Sequence, residues 1–170
     1  SSAASDVYKR QLFDGTYEQF RDKLKDLGQT PLPKYIKREE ESFDRERYQT
    51  IYAKHEGAVA APTASLHFTK RLVNKIKKKG VNIVKLTLHV NGGTFIPIKS
   101  NNIEDHLMHF EKGLITQESA NKINYFKKNG GRVFAVGTTV LRLLESSKDH
   151  KGIVKAFDGE TNIYIKPGWK

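Results

Sequence analysis

Five stretches of the chain repeat apolar residues at helical spacing, and five more alternate or run apolar over strand lengths. Thr16 and Gln19 form a capping box ahead of Tyr17, Phe20, Leu24 and Leu27, with Gly28 beyond, which predicts a first helix. Pro31 and Pro33 forbid its continuation and make a stiff extended connector. Asp44 is positioned to cap a second helix carrying Tyr48, Ile51 and Tyr52. A third is expected from about Phe68 to Lys79, with Phe68, Leu72, Val73 and Ile76 inward and Gly80 at its end. Val84, Leu86, Leu88 and Val90 alternate with Lys85, Thr87 and His89, the pattern of a strand with one polar face. Asn91-Gly92-Gly93 breaks it, and Thr94 to Ile98 predicts a second short strand closed by Pro97. Leu107, His109 and Glu111 alternate with Met108 and Phe110 as another strand. Thr116 opens a helix through Ala120, Ile123 and Phe126, ended by Asn129-Gly130-Gly131. Val133 to Val136 predicts a buried strand, Thr138 or Thr139 starts a helix through Leu141, Leu144 and Glu145, and Asn162 to Ile165 predicts a last strand. Helices alternate with strands, so the expected class is α/β.

The chain has 170 residues and no cysteine, which excludes disulfides, thiolate metal sites and cysteine nucleophiles. No apolar run approaches the roughly 18–20 residues of a membrane span, and a soluble, cytoplasmic domain is expected. Residues 1–11 have no usable period and read as a leader. Residues 12–56 read as a helical segment with a Pro-rich connector, and 57–170 as an α/β portion. Charge sharpens that division. Residues 1–56 carry 11 basic and 11 acidic side chains, so the net charge of +11 arises entirely from residues 57–170. Between Glu56 and Glu104 there are eight basic residues and no acid. Such a block favours a polyanion, nucleic acid before an anionic membrane.

Several nucleotide sites are missing from the pattern. There is no GxxxxGK[ST] and no GxGxxG after a strand, so a P-loop and a dinucleotide fingerprint are not expected. His106 and His109 lie three apart, but spacing identifies no third ligand, and no metal is expected. What remains is polar chemistry at the ends of elements. The small-residue loop from Ala60 to Thr69 closes on His67 and leads into the basic helix; it is either an anion-binding approach of backbone amides or a tight turn capped by Thr69. His89 lies on the polar face of its strand, either as a satisfied half-buried histidine or as an acid–base group. His109 and Glu111 share a face by the period of two, which suits either an oriented imidazole or an exposed pair. Gly137-Thr138-Thr139 joins a strand to a helix, where Thr138 serves a ligand or merely caps.

Taken in order, PLPKYIKR (Pro31 to Arg38), RYQTIYA (Arg47 to Ala53), AVAAPTASLHFT (Ala58 to Thr69), LTLHVNGGTFIPI (Leu86 to Ile98), HLMHFE (His106 to Glu111), GGRVFAVGTTVLRLLES (Gly130 to Ser146) and GETNIYIKPG (Gly159 to Gly168) resemble the S-adenosylmethionine:tRNA ribosyltransferase-isomerase family of queuosine biosynthesis. The resemblance implies a transferase that moves the ribosyl part of S-adenosylmethionine onto an aminomethyl-deazaguanine wobble base. The base lies in a tRNA with a GUN-type anticodon, and isomerisation gives epoxyqueuosine with release of adenine and methionine. It also implies a two-domain enzyme, of whose main α/β domain this chain is a part truncated at its C-terminus, with the inserted β-barrel-like domain largely outside it. The chemistry so implied needs a base beside the sulfonium, for which His67, His89 and the His109–Glu111 pair are candidates. Thr63, Gly92, Gly93, Thr94, Gly137, Thr138, Thr139 and Arg142 are expected to contact the cosubstrate. Lys70, Arg71, Lys75, Lys77, Lys78 and Lys79 are expected on tRNA phosphates. Two positions depart from the family pattern, Ser65 and Asn91, each standing where glycine is usual. A non-catalytic basic RNA-binding module is the alternative reading. A methyltransferase is a further rival, without its glycine fingerprint here.

Overall fold

A computed structural model describes residues 12–33, 35–95 and 106–169. The chain divides into two compact units, residues 1–30 and 31–170. In the first, α1 (Tyr17–Leu27) is opened by the expected capping box. Gln19 donates its amide to Thr16 Oγ1 at 3.3 Å, and the Thr16 amide donates to Gln19 Oε1 at 2.8 Å. Phe13 packs against Phe20 with ring centres 5.3 Å apart.

In the second unit, α2 (Asp44–Arg47) is a single turn, shorter than the expected helix, and its N-cap is Phe43. Asp44 does not cap it because its carboxylate is engaged elsewhere. Arg38 grips both oxygens at 2.7 and 2.8 Å, and the Glu41 amide donates to one of them at 2.9 Å. These donors, the Arg38 guanidinium foremost, hold Asp44 down at about 2. The sign follows: below the ordinary carboxylate value the unfolded chain takes up a proton that the folded chain refuses. Urea midpoints measured between pH 5 and 2 are therefore expected to fall as pH drops from about 4 towards 2, and Asp44→Asn should flatten that part of the profile.

α3 (Lys70–Lys78) is capped by Thr69, whose hydroxyl accepts from the Leu72 amide at 3.1 Å. Beyond it come β1 (Thr87–His89), β2 (Glu111–Ile115), α4 (Gln117–Lys128), α5 (Thr138–Ser147) and β3 (Phe157–Thr161). The strands form one antiparallel sheet in the order β1-β2-β3. Mixed helix and strand fits a piece of an α/β fold, but no parallel pair occurs among the described residues. Register explains the short β1. Thr87 faces Leu114, so two residues earlier the partner chain has already reached Thr116, which caps α4 by accepting from the Ser119 amide. Val84, Leu86 and Leu88 nevertheless pack on the core of Ile115, Ala120, Ile123, Leu143 and Val154, as their alternation predicts.

Three expected strands shift or dissolve. Residues 107–110 are not paired, and the strand starts at Glu111. Asn162 to Ile165 is unpaired too, because β3 has used the whole five-residue length of β2 by Thr161. Val133 to Val136 is neither a strand nor buried, and Phe134 is 71% exposed. Of the strand expected over 94–98, Thr94 lies in a 3-10 turn, Gly92–Phe95, and positions 96–98 fall outside the described residues.

α5 crosses the sheet and supplies Leu143, 1% exposed. Gly113 makes this approach possible: a Cβ there would sit 2.5 Å from Leu143 Cδ1 and 3.0 Å from Leu88 Cδ1, closer than real side chains come. Asn124 completes the framework. Its amide donates to the Val154 carbonyl at 2.7 Å and accepts from the Val154 amide at 3.0 Å.

Candidate active site

The C-terminal ends of β1 and β3 and the start of β2 meet at one edge of the sheet, where His89, Glu111 and Thr161 lie. His89 is half-buried, and its ring rests on Gly57. A Cβ at Gly57, which has φ +129°, would meet Nδ1 at 3.0 Å and Cε1 at 3.3 Å. The neighbouring backbone is pinned, since the Val59 amide donates to the Val90 carbonyl at 2.8 Å. Immediately beyond β1, the 3-10 turn brings Gly93 against His109, and a Cβ at Gly93 would overlap Cδ2 and Cγ of that ring. The turn and the second histidine are thus fitted to each other by the absence of one methyl group. Gly93→Ala is expected to displace the imidazole, shift the His109 ring resonances in the NMR spectrum and cost about 1–3 kcal/mol of stability. Unmoved resonances would contradict this contact.

Glu111 does not serve as an exposed partner on a strand shared with His109. It is buried, its pleat turns the side chain toward α5, and its carboxylate accepts from Arg142 Nη1. Directly across from it in register is Thr161, also buried. The Thr161 hydroxyl lies 2.5 Å from that of Ser146, which itself donates to the Arg142 carbonyl at 2.8 Å. With the Ser146 proton so committed, Thr161 is the donor to Ser146. Arg142 Nε and Nη2 are buried without a hydrogen-bond partner among the described residues. A planar guanidinium anchored at one end with donors to spare suits an oxyanion such as a carboxylate or phosphate.

The small-residue loop meets α5 at its other end. Gly137, not Thr138, is the N-cap, with φ +96° and no side-chain cap, a conformation that glycine adopts without strain. A Cβ there would lie 3.0 Å from the Ala64 Cβ. The Thr63–Ser65 turn and Gly137-Thr138-Thr139 are therefore brought together, with Thr63 and Thr138 exposed and Thr139 half-buried. His67 is exposed, its ring 4.7 Å from that of Phe68, and it is not part of the sheet-edge cluster. Thr94 is exposed on the 3-10 turn, and Lys70, Arg71, Lys75, Lys77, Lys78 and Lys79 are all exposed along α3 and its end. Gly57, Ser146 and Thr161 were not foreseen. The only sequence signal for Ser146 is its place one turn beyond Arg142, and Thr161 has none before the register is known.

A family model described as queuosine biosynthesis protein matches residues 4–170. The chain belongs to this family. Among curated family members it is 54% identical over 149 residues to the S-adenosylmethionine:tRNA ribosyltransferase-isomerase of Zymomonas mobilis, covering 86% of this chain and 44% of that protein. The protein of the same name from Flavobacterium psychrophilum is 50% identical over 158 residues, 93% of this chain and 45% of its own length. That of Thermoanaerobacter sp. is 49% identical over 161 residues, 95% and 46% respectively. The chain thus spans a little under half the length of these relatives.

Ser65 and Asn91, expected to stand where the family has glycine, are both accommodated. No non-glycine residue described has positive φ. Ser65 is buried and donates its hydroxyl to the Pro62 carbonyl at 3.0 Å, closing the turn. Asn91 donates its side-chain amide to the Phe110 carbonyl at 2.6 Å, tying the two histidine-bearing segments together. Glycine could make neither bond. Among the described residues, no cluster of three His, Asp or Glu could hold a metal ion, and no helix is long and apolar enough to cross a membrane.

Proposed function

We propose that this chain is part of a tRNA-modifying transferase that transfers and isomerises the ribosyl moiety of S-adenosylmethionine onto the aminomethyl-deazaguanine wobble base of a GUN-anticodon tRNA. Adenine and methionine leave, and epoxyqueuosine forms. The observation that carries the reading is the name shared by relatives about 50% identical across most of this chain. The sheet-edge cluster supports it with suitable chemistry. In this reading the 170 residues belong to the main α/β domain of a two-domain cytoplasmic enzyme.

S-adenosylmethionine is the ribosyl donor, so its sulfonium must be bound and a proton beside it removed. His89 and His109, brought to one sheet edge by Gly57 and Gly93, are the bases proposed for that step, and His67 is the outlying candidate. Arg142 holds a carboxylate or phosphate oxygen, while Glu111 balances its charge and fixes its plane. Thr63, Gly92, Gly93, Thr94, Gly137, Thr138 and Thr139 supply the remaining polar contacts. The lysines and arginine of α3 hold RNA phosphates.

Product analysis of the whole protein incubated with S-adenosylmethionine and precursor tRNA tests the reading. Free adenine, dependent on tRNA, is expected. S-adenosylhomocysteine would indicate methyl transfer instead, and unconsumed S-adenosylmethionine alongside tRNA binding would indicate a non-catalytic RNA-binding module.

A further inference from the structure

The exposed cations of α3 fall into two stripes. At 100° per residue, Lys70, Asn74 and Lys77 lie on one line, adjoining the buried Val73, whereas Arg71, Lys75 and Lys78 lie on the next. The first stripe borders a groove. About 290 Å³ in volume, it lies between α3, the segment around Tyr52 and the chain before β1, with Val73 in its lining and Lys70, Lys77 and Lys85 around it. Lys85 holds its ammonium 5.6 Å from the centre of the Tyr52 ring. Tyr52 in turn lies 6.1 Å from Phe68, whose other neighbour is His67. The Tyr52 backbone is anchored by its amide, which donates to the hydroxyl of buried Thr50 at 3.3 Å. None of Lys70, Lys77 and Lys85 forms an ion pair among the described residues, and no acid occurs in the sequence from 57 to 103.

Three uncompensated ammonium groups around an anchored aromatic ring provide both halves of single-strand recognition, a π face for a base and cations for its phosphates. We propose that this groove receives one unstacked nucleotide of an RNA strand, its base against the Tyr52 ring and its flanking phosphates on Lys70, Lys77 and Lys85. On binding, the base takes the ring face now covered by Lys85, and that ammonium turns to a phosphate. Arg71, Lys75 and Lys78 do not line this groove and add only field to it. The site is separate from the histidine cluster and rests on the reading of tRNA as partner.

Fluorescence anisotropy of a labelled anticodon stem–loop RNA, titrated with the 170-residue chain across a salt series, provides the test. Tyr52→Leu is expected to weaken binding by about 5- to 150-fold, the range of one lost base stack. Tyr52→Phe should bind like the parent. Replacing Lys70, Lys77 and Lys85 together by glutamine should flatten the log–log salt slope by about 2, at about 0.7 per single-strand phosphate. Replacing Arg71, Lys75 and Lys78 in the same way should change it by less than half as much. If Tyr52→Leu fails to fold, ultraviolet crosslinking of a 5-bromouridine-substituted RNA to the parent chain decides, with Tyr52 the expected adduct. Equal effects of the two triple variants with no effect of Tyr52→Leu, or crosslinks elsewhere only, would overturn the groove and leave tRNA as partner. A parent chain that ignores the RNA and binds phosphatidylserine vesicles would overturn both.

Discussion

Glu111→Ala is expected to lower the unfolding free energy of the chain by about 3–5 kcal/mol, the cost of leaving one member of a buried pair without the other. Its side chain is 7% exposed and that of Arg142 is 14% exposed, so water cannot take over the role of the lost carboxylate. Nε and Nη2 of Arg142 already lack hydrogen-bond partners among the described residues; the substitution would strand the third nitrogen as well. A loss of this size is a large fraction of the 5–15 kcal/mol by which domains are ordinarily stable. Urea denaturation at fixed pH measures it, and an unchanged m-value would show that the same surface unfolds. Removing both charges, as Glu111→Ala with Arg142→Met, should recover most of the loss, because no charge then remains buried. A single variant as stable as the parent would show that the pair contributes nothing to holding α5 on the sheet.

Under the function proposed above, His89→Ala in the whole protein is expected to slow single-turnover ribosyl transfer by about 10²- to 10⁴-fold, the usual contribution of a positioned base. The affinity for S-adenosylmethionine should change much less, since a base acts on the barrier more than on binding. The geometry favours His89 over His67. Its ring is half-buried at a strand end and backed by Gly57, with Nδ1 and Cε1 the edge nearest that glycine, whereas His67 stands exposed beside Phe68. Rapid-quench measurement at saturating cosubstrate separates chemistry from binding. An unchanged chemical rate would remove His89 from the role and leave it to His109 or His67.

What could be read from the sequence was mostly local. The caps of α1, α3 and α4 depend on residues three apart, and Thr16, Thr69 and Thr116 all do what their spacing predicts. The inward positions of β1 were legible for the same reason. β2 and β3 were not. Gly113 looks like a breaker until Leu143 and Leu88 are seen pressing on it, and Asp158-Gly159 has the chemistry of a turn until it is paired with Gly113 and Leu114. The site divides along the same line. His89 and His109 announced themselves as titratable groups on expected strands, but Glu111 and Arg142 are 31 residues apart and join only through tertiary packing. The shared face expected for His109 and Glu111 rested on a strand that begins only at Glu111, and the Arg142 partner of Glu111 carried no signal in the spacing.

The contact between Ala64 and Gly137 has a mechanical side. Gly137 caps α5, and Arg142 stands five residues further on, about 7.5 Å along the axis at the usual rise. Ser146, another turn on, is fastened to Thr161 at the end of β3. The helix thus starts on the small-residue loop, ends on the sheet and carries a guanidinium midway. Arg142 is thereby carried on a helix fixed at both ends, against the loop at Gly137 and to the sheet at Ser146, so the direction of its guanidinium is set by two separate parts of the chain.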